Sequence, residues 1–150
     1  MADQIDAAAL AMLRELLPVG TDVDGRDADG RSALWHAALR GKLEVVVHLV
    51  EQLGASPMLA DSRGRSPLYA AAGHGDSGHL AVVEWLAGHG GSVAQSANDG
   101  CSPLYAAAHS GHIEVVQWLA SHGGSVVQPD NEGDTPLLIS AQEGHLAVVQ

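Results

Sequence analysis

The sequence predicts an all-α fold, a solenoid of short antiparallel helix pairs joined by hairpin-like turns. One element recurs four times, as Ser-Ala-Leu at 32–34, Ser-Pro-Leu at 66–68 and 102–104, and Thr-Pro-Leu at 135–137. Its intervals of 34, 36 and 33 residues are typical of solenoid proteins. Aromatic residues make up only 3% of the chain and Phe is absent, so Ala, Val and Leu must fill the interior. Such small side chains suit thin helical layers that pack closely.

Each unit starts with a turn and a helix cap. A glycine stands two positions before each Ser or Thr, at Gly30, Gly64, Gly100 and Gly133. An aspartate opens three of the four turns, at Asp27, Asp61 and Asp130. Asp accepts hydrogen bonds within its own turn and Gly adopts positive φ, so the stretch from Asp to Gly predicts a turn. The Ser or Thr then caps a first helix, in which Pro takes the first position in three units.

A second helix is predicted in each unit. Its start is marked by a glycine, a Lys or His and an apolar residue, at 41–43, 78–80, 111–113 and 144–146. A Val-Val pair follows, at 45–46, 82–83, 115–116 and 148–149. We expect the glycine to end the first helix, and the apolar residues to form one stripe along the second.

Four copies in register resemble the ankyrin repeat family over residues 20–150. The resemblance implies an ankyrin-repeat solenoid that forms one domain over 1–150. Its expected parts are an N-terminal half-repeat cap at 1–26, repeats at 27–60, 61–96 and 97–129, and a truncated repeat at 130–150. Residues 6–17 are expected to form the capping helix.

The chain departs from the family pattern in three ways. The family usually places His after the Leu of Thr-Pro-Leu, where it ties adjacent turns together; here the slot holds Trp35, Tyr69, Tyr105 and Leu138. Leu138 has no hydrogen-bonding group, so we expect the last repeat to be looser. Repeat 2 carries three extra residues within 73–79. The last second helix stops at Gln150, so we expect a longer array or another surface to cover its apolar residues.

Charge is distributed unevenly along the chain, which has a net charge of −11. All seven basic residues lie in the first 65 positions, and residues 66–150 contain eight acidic residues and no Lys or Arg. Such a surface repels phosphate backbones, so we expect no nucleic-acid partner. The N-terminus has no basic region before its apolar residues, and no apolar run approaches the ~20 residues that span a bilayer. We therefore expect an intracellular, cytoplasmic protein without membrane contact.

The nine histidines raise the question of a metal site. His79, His112 and His145 occupy the starts of second helices, where we expect each ring to bond local backbone, and His89 and His122 are expected to complement helix dipoles. His109 and His112 form His-x-x-His, but an inter-helix loop separates them. The best metal candidate is the insert with His74, Asp76 and His79. A tolerated loop insertion explains it better, so we predict no metal and no cofactor.

Catalysis is not predicted. Cys101 follows a turn glycine, at what the pattern places as an exposed finger tip, where a helix N-terminus lowers a thiol's pKa. The same slot holds Arg31, Arg65 and Asp134 in the other units, so its chemistry varies freely. No phosphate-binding loop, Gly-x-Ser-x-Gly or His-Glu-x-x-His motif is present.

Partner contacts are expected where the copies differ, because those positions are not needed for stacking. In the family, partners usually dock on the concave face formed by the turns and the first helices. The predicted partner-binding residues are Asp29, Arg31, His36, Arg40, Arg63, Arg65, His74, Asp99, Cys101, His109, Glu132, Asp134 and Gln142. They form a groove that is basic at its N-terminal end and acidic at its C-terminal end. Trp85 and Trp118 are expected to pack between layers.

The predicted function is non-catalytic protein–protein interaction, as a scaffold or adaptor with a protein partner and no small-molecule substrate. The alternative is the targeting or regulatory part of a larger enzyme or channel. We expect a monomer, unless the uncapped C-terminal end self-associates.

Overall fold

Eight helices in four consecutive pairs form the part of the chain that the computed structural model describes, residues 22–74 and 77–150, with only the backbone of 77 and 78. The pairs are α1 (Ala33–Leu39) with α2 (Leu43–Glu51), α3 (Pro67–His74) with α4 (Ser77–Gly88), α5 (Pro103–Ser110) with α6 (Ile113–Ser121), and α7 (Pro136–Gln142) with α8 (Leu146–Val149). These residues contain no strand, so the predicted all-α class is confirmed. The capping helix expected at 6–17 lies outside them.

The four first helices begin where the sequence predicts. Each is capped by the hydroxyl of its Ser or Thr, which accepts the backbone N–H three residues later at 3.1–3.2 Å. The capping residues are Ser32, Ser66, Ser102 and Thr135. The cap satisfies a donor that would otherwise have no partner at the helix start.

The turns before these helices have the predicted chemistry, and they also bond to one another. In the second turn, Asp61 Oδ1 accepts the N–H groups of Arg63 and Arg65 at 3.0 and 2.8 Å. Backbone N–H groups of Ser62, Asn98 and Asn131 reach carbonyls in the preceding turn at 2.8–3.0 Å. The turns therefore form a continuous hydrogen-bonded row, which holds one face of the solenoid in a fixed shape.

Histidines at the second helices link neighbouring pairs. His79 Nε2 lies 2.6 Å from the carbonyl of Leu39, and His145 Nε2 lies 2.9 Å from that of His109. The acceptors stand 40 and 36 residues earlier, so the expectation that these rings bond local backbone is wrong. A Cβ at Gly111 would come within 2.6 Å of the His145 ring, so the glycine leaves room for this link.

The insert in the second pair changes where a helix begins. α4 starts at Ser77, whereas α2 and α6 start at the apolar residue after the Lys or His. Gly78 therefore lies inside a helix, and the expectation that this glycine ends the first helix is wrong for the second pair.

The core lies between the pairs and is built from small apolar side chains, as predicted. Leu34, Leu68 and Leu104 are at most 1% exposed, and the fully buried alanines are Ala38, Ala71, Ala72, Ala107 and Ala108. The equivalent Leu137 of α7 is 56% exposed, because the described chain places no further helix against it. No helix in the described ranges is long and apolar enough to cross a bilayer.

Candidate protein-binding groove

A groove of about 800 Å³ runs along the row of turns and the first helices. Of the residues that the structure describes, those that line it belong to turns or to first helices, and none belongs to a second helix. Eight of the thirteen predicted contact residues line it: Arg31, Arg65, His74, Asp99, Cys101, His109, Glu132 and Asp134. The other five do not line it: Asp29, His36, Arg40, Arg63 and Gln142.

Trp35 organises the basic end of the groove. Its indole is 2% exposed, and its Nε1–H donates to the carbonyl of Arg65 at 3.1 Å. The Cζ atoms of Arg31 and Arg65 lie 4.5 and 5.5 Å from the ring centroid. Guanidinium groups at this distance from an aromatic face are attracted by the ring quadrupole. Trp35 thus takes over the tie between adjacent turns that the family usually gives to His.

The two arginines have different roles. Asp61, whose side chain is 1% exposed, accepts Arg65 Nε and Nη2 at 2.8 and 2.7 Å. Arg31 lies farther from its carboxylates, with Nη1 3.7 Å from Asp29 and Nε 4.0 Å from Asp61. Asp61 therefore neutralises the charge of Arg65 within the fold. Arg31 has no such close partner among the described residues and is the more available of the two arginines for a ligand in the groove.

Two tyrosines and Cys101 form the middle of the groove. The Tyr105 side chain interacts with the carboxylate of Asp130 in the next turn. Burial raises the pKa of both Tyr69 and Tyr105 well above the ordinary value. A phenol is protonated at neutral pH even without such a shift, so the Tyr69 hydroxyl can donate a hydrogen bond to a ligand, whereas the Tyr105 hydroxyl faces Asp130.

The expectation for Cys101 is wrong in two respects. Its side chain is buried, with 8% of the residue exposed, because it packs into the core between the first helices instead of projecting from a finger tip. Burial, together with a hydrogen bond to Asp99, raises the thiol's pKa to about 12, where the helix position predicted a lowered pKa. Cys101 is therefore an unreactive part of the groove floor.

Alkylation tests this assignment. At pH 8 a thiol of pKa about 12 is roughly one part in ten thousand ionised, against about one in ten for a pKa of 9.0. We expect iodoacetamide to modify the folded protein at least about a hundredfold more slowly than the urea-unfolded protein, because only the thiolate reacts. Similar rates in the two states, measured by mass spectrometry, would contradict the buried position.

Among the described residues, the acidic end of the groove is lined by four carboxylates and by no Lys or Arg. They belong to Asp99, Asp130, Glu132 and Asp134. The backbone N–H of Asp134, with further help from Glu132 and the Tyr105 hydroxyl, holds the pKa of Asp130 below its ordinary value. Asp130 is therefore ionised at neutral pH, and this end of the groove is negatively charged.

Histidines do not assemble a metal site in the part of the chain that the structure describes, where no three His, Cys, Asp or Glu side chains come together as ligands. The rings of His74 and His79 lie 6.3 Å apart, and His79 Nε2 faces the Leu39 carbonyl. Asp76, the third predicted member of that candidate, lies outside the described residues. His109, at the groove, has Nε2 3.8 Å from Glu143 Oε1.

Two tryptophan–histidine stacks lie outside the groove. Trp85 stacks on His89 at 3.8 Å between ring centroids, and Trp118 on His122 at 3.9 Å. Each histidine Nδ1 also lies 2.7 Å from the carbonyl of its tryptophan. Each tryptophan is half-buried and packs against the core, and the imidazole covers a further part of its ring.

One protein-family model and two curated proteins are similar to this chain. The family model described as ankyrin repeats (3 copies) matches residues 5–96 and 76–150. The chain is 46% identical over 74 residues to ankyrin repeat domain-containing protein 63 of Homo sapiens, and 45% identical over 74 residues to that of Mus musculus. Each match covers 49% of this chain and 18% of the relative, so the chain spans only a small part of the curated relatives' length.

Proposed function

Because the chain belongs to the ankyrin repeat family, we propose that it is a non-catalytic protein-binding module, a scaffold or adaptor that holds a segment of a protein partner in the groove. The observation that carries this proposal is the groove itself, which combines a fixed framework with varied side chains. Repeats of this kind serve unrelated partners through changes of surface residues, so the partner must be argued from the groove.

The framework supports binding because hydrogen bonds within the chain hold its shape. The row of bonds between turns fixes the backbone, and the side chains of Trp35 and Asn131 add hydrogen bonds from one turn to the next. A preformed surface loses little conformational freedom when it binds, so more of the contact energy appears as affinity.

The lining also favours a polypeptide ligand. The groove is open along its length, and its residues offer charges, phenols and amide groups beside small residues such as Ala70, Gly73 and Ala106. Small residues let a backbone approach closely, and the polar groups supply the dispersed hydrogen bonds that are typical of protein interfaces. We propose no small-molecule substrate, nucleic acid or membrane as its ligand.

A second candidate is that the module forms the targeting or regulatory part of a larger enzyme or channel. The observation in its favour is that the matched segment is 18% of the length of the relatives. In either case the groove would be the binding surface. We also propose a cytoplasmic location and a monomeric state. Leu137, Leu138 and Leu146 of the fourth pair are exposed, so they are the residues through which copies of the chain would self-associate.

Selection from a displayed library of random peptides tests the function. Selected peptides are expected to bind a folded Arg31→Gln, Asp134→Asn variant about tenfold more weakly, because both side chains line the groove. The matched control is Arg26→Gln, Glu84→Gln, which removes the same charges from exposed positions outside it. A library that yields no binder, or binders equally sensitive to both variants, would contradict groove binding.

A further inference from the structure

The groove is electrically polarised, and the two ends are built differently. At one end Arg31 and Arg65 face a single buried carboxylate, Asp61, and one exposed carboxylate, Asp29. At the other end four carboxylates line the groove in a region that contains no Lys or Arg. The field therefore changes sign along one continuous surface.

The Arg31 guanidinium can bind a carboxylate of a ligand. Its guanidinium lies over Trp35, which fixes it at the groove wall, while its nearest carboxylate oxygens are 3.7 and 4.0 Å away. Those distances exceed a hydrogen bond, and the closer partner, Asp29, has a side chain that is 70% exposed. An exposed pair of this kind contributes little, so a ligand carboxylate can replace it.

The negative end has the complementary character. Glu132 and Asp99 are exposed, and Asp134 is half-buried beside them. Burial, and then the charges of Asp99 and Glu132, raise the pKa of the Cys101 thiol on the groove floor. A basic side chain entering here meets several carboxylates and no competing Lys or Arg of this chain.

The distance between the ends sets the length of the ligand. Arg31 belongs to the first pair, and Asp99 and Asp134 to the third and fourth. With first helices spaced about 8–10 Å apart, two to three spacings separate the charged ends by roughly 16–30 Å. An extended chain advances about 3.3 Å per residue, so about five to nine residues bridge them.

We propose that the groove recognises an extended peptide segment whose two ends carry opposite charges, with acidic residues against Arg31 and basic residues against Asp99, Glu132 and Asp134. The inference rests on the proposed function and specifies its partner. The neutral stretch between the charges lies along Tyr69 and the small residues of the floor. Charge order, more than net charge, then determines which segment binds.

Synthetic peptides of one composition test the charge order. A block peptide carries two Glu at one end and two Lys at the other, separated by about six neutral residues. Its isomer carries one Glu and one Lys at each end, so both peptides have the same net charge and length. Each is made in both chain directions, and affinity is measured by fluorescence anisotropy at low and physiological salt.

The parent protein is expected to bind the better block peptide about tenfold tighter than its isomer, and the difference should shrink at high salt. Arg31→Gln should reduce that ratio about threefold, and so should Glu132→Gln with Asp134→Asn. The control Glu84→Gln, Glu114→Gln removes two exposed carboxylates outside the groove and should leave the ratio unchanged. Circular dichroism establishes that each variant is folded.

The proposed charge order would be overturned if the block peptide and its isomer bound with equal affinity, or if the block peptide did not bind. It would also be overturned if the control variant changed the affinity ratio as much as the groove variants do. Failure here is distinguishable from failure of the proposed function. Library peptides that require the groove but carry no ordered charges would leave protein binding intact and remove only this inference.

Discussion

Replacement of Asp61 by alanine is expected to lower the free energy of unfolding by about 2–4 kcal/mol, because it removes a buried carboxylate that accepts several hydrogen bonds at once. Asp61 accepts two backbone N–H groups through Oδ1 and the guanidinium of Arg65 through Oδ2. Its side chain is 1% exposed, so water cannot replace these bonds. Arg65 would be left against Trp35 without its counter-charge.

The other turns supply matched controls for this prediction. Asp27 and Asp130 make the same pair of turn hydrogen bonds, but both residues are far more exposed. Asp27→Ala and Asp130→Ala should therefore be much less harmful, and Asp61→Asn should be intermediate because its amide oxygen can still accept the turn bonds. Urea unfolding followed by circular dichroism measures all four. An Asp61→Ala variant as stable as Asp130→Ala would contradict the buried ion pair.

Replacement of Trp35 by alanine is expected to cost about 3–5 kcal/mol, the range for an aromatic ring removed from a core. The indole is 2% exposed, and it supports both arginines as well as the bond to the next turn. Trp35→Phe keeps a ring beneath the arginines and loses the Nε1–H bond, so a loss nearer 1–2 kcal/mol is expected.

Trp118→Ala is the comparison for the tryptophan prediction. Trp118 is half-buried and contacts His122 on its outer face, so its removal should cost less, about 1–2 kcal/mol. Thermal or urea unfolding of the three variants gives the order. If Trp118→Ala were the more destabilising, Trp35 would not be the organising residue of this end of the solenoid.

Features that depend on near neighbours in sequence could be predicted well. The caps at Ser32 and Ser102 and the turn at Asp61 follow from residues three or four positions apart, so the repeated pattern was sufficient. The paired helices and the alanine-rich core followed from the same register. The start of α4 at Ser77 was not predictable, because an insertion can lengthen either a loop or a helix.

Features that depend on contacts between repeats were harder. His79 reaches a carbonyl 40 residues earlier, and no local pattern distinguishes that bond from one to its own helix. Arg65 looked equivalent to Arg31, since the slot is the same, but only Arg65 forms the close pair with Asp61. Cys101 was placed at a tip because its neighbours in sequence are turn residues, whereas its side chain points to the core.

Two repeated patterns in the sequence mark contacts that were not among the predictions. Tyr69 and Tyr105 recur in one slot of the first helix, next to positions proposed for binding, and they line the groove. Trp85 with His89 and Trp118 with His122 repeat a spacing of four residues, which places both rings on the same helical face. The structure shows these rings stacked.

Nuclear magnetic resonance of the indole N–H groups tests groove binding most directly, because the chain has three tryptophans and therefore three such signals. Trp35 lines the groove, whereas Trp85 and Trp118 lie in second helices outside it. Addition of a library-selected peptide is expected to shift the Trp35 signal and leave the other two in place. A shift of the Trp85 or Trp118 signal, with Trp35 unchanged, would show that partners bind the second helices and would contradict the groove as the binding surface.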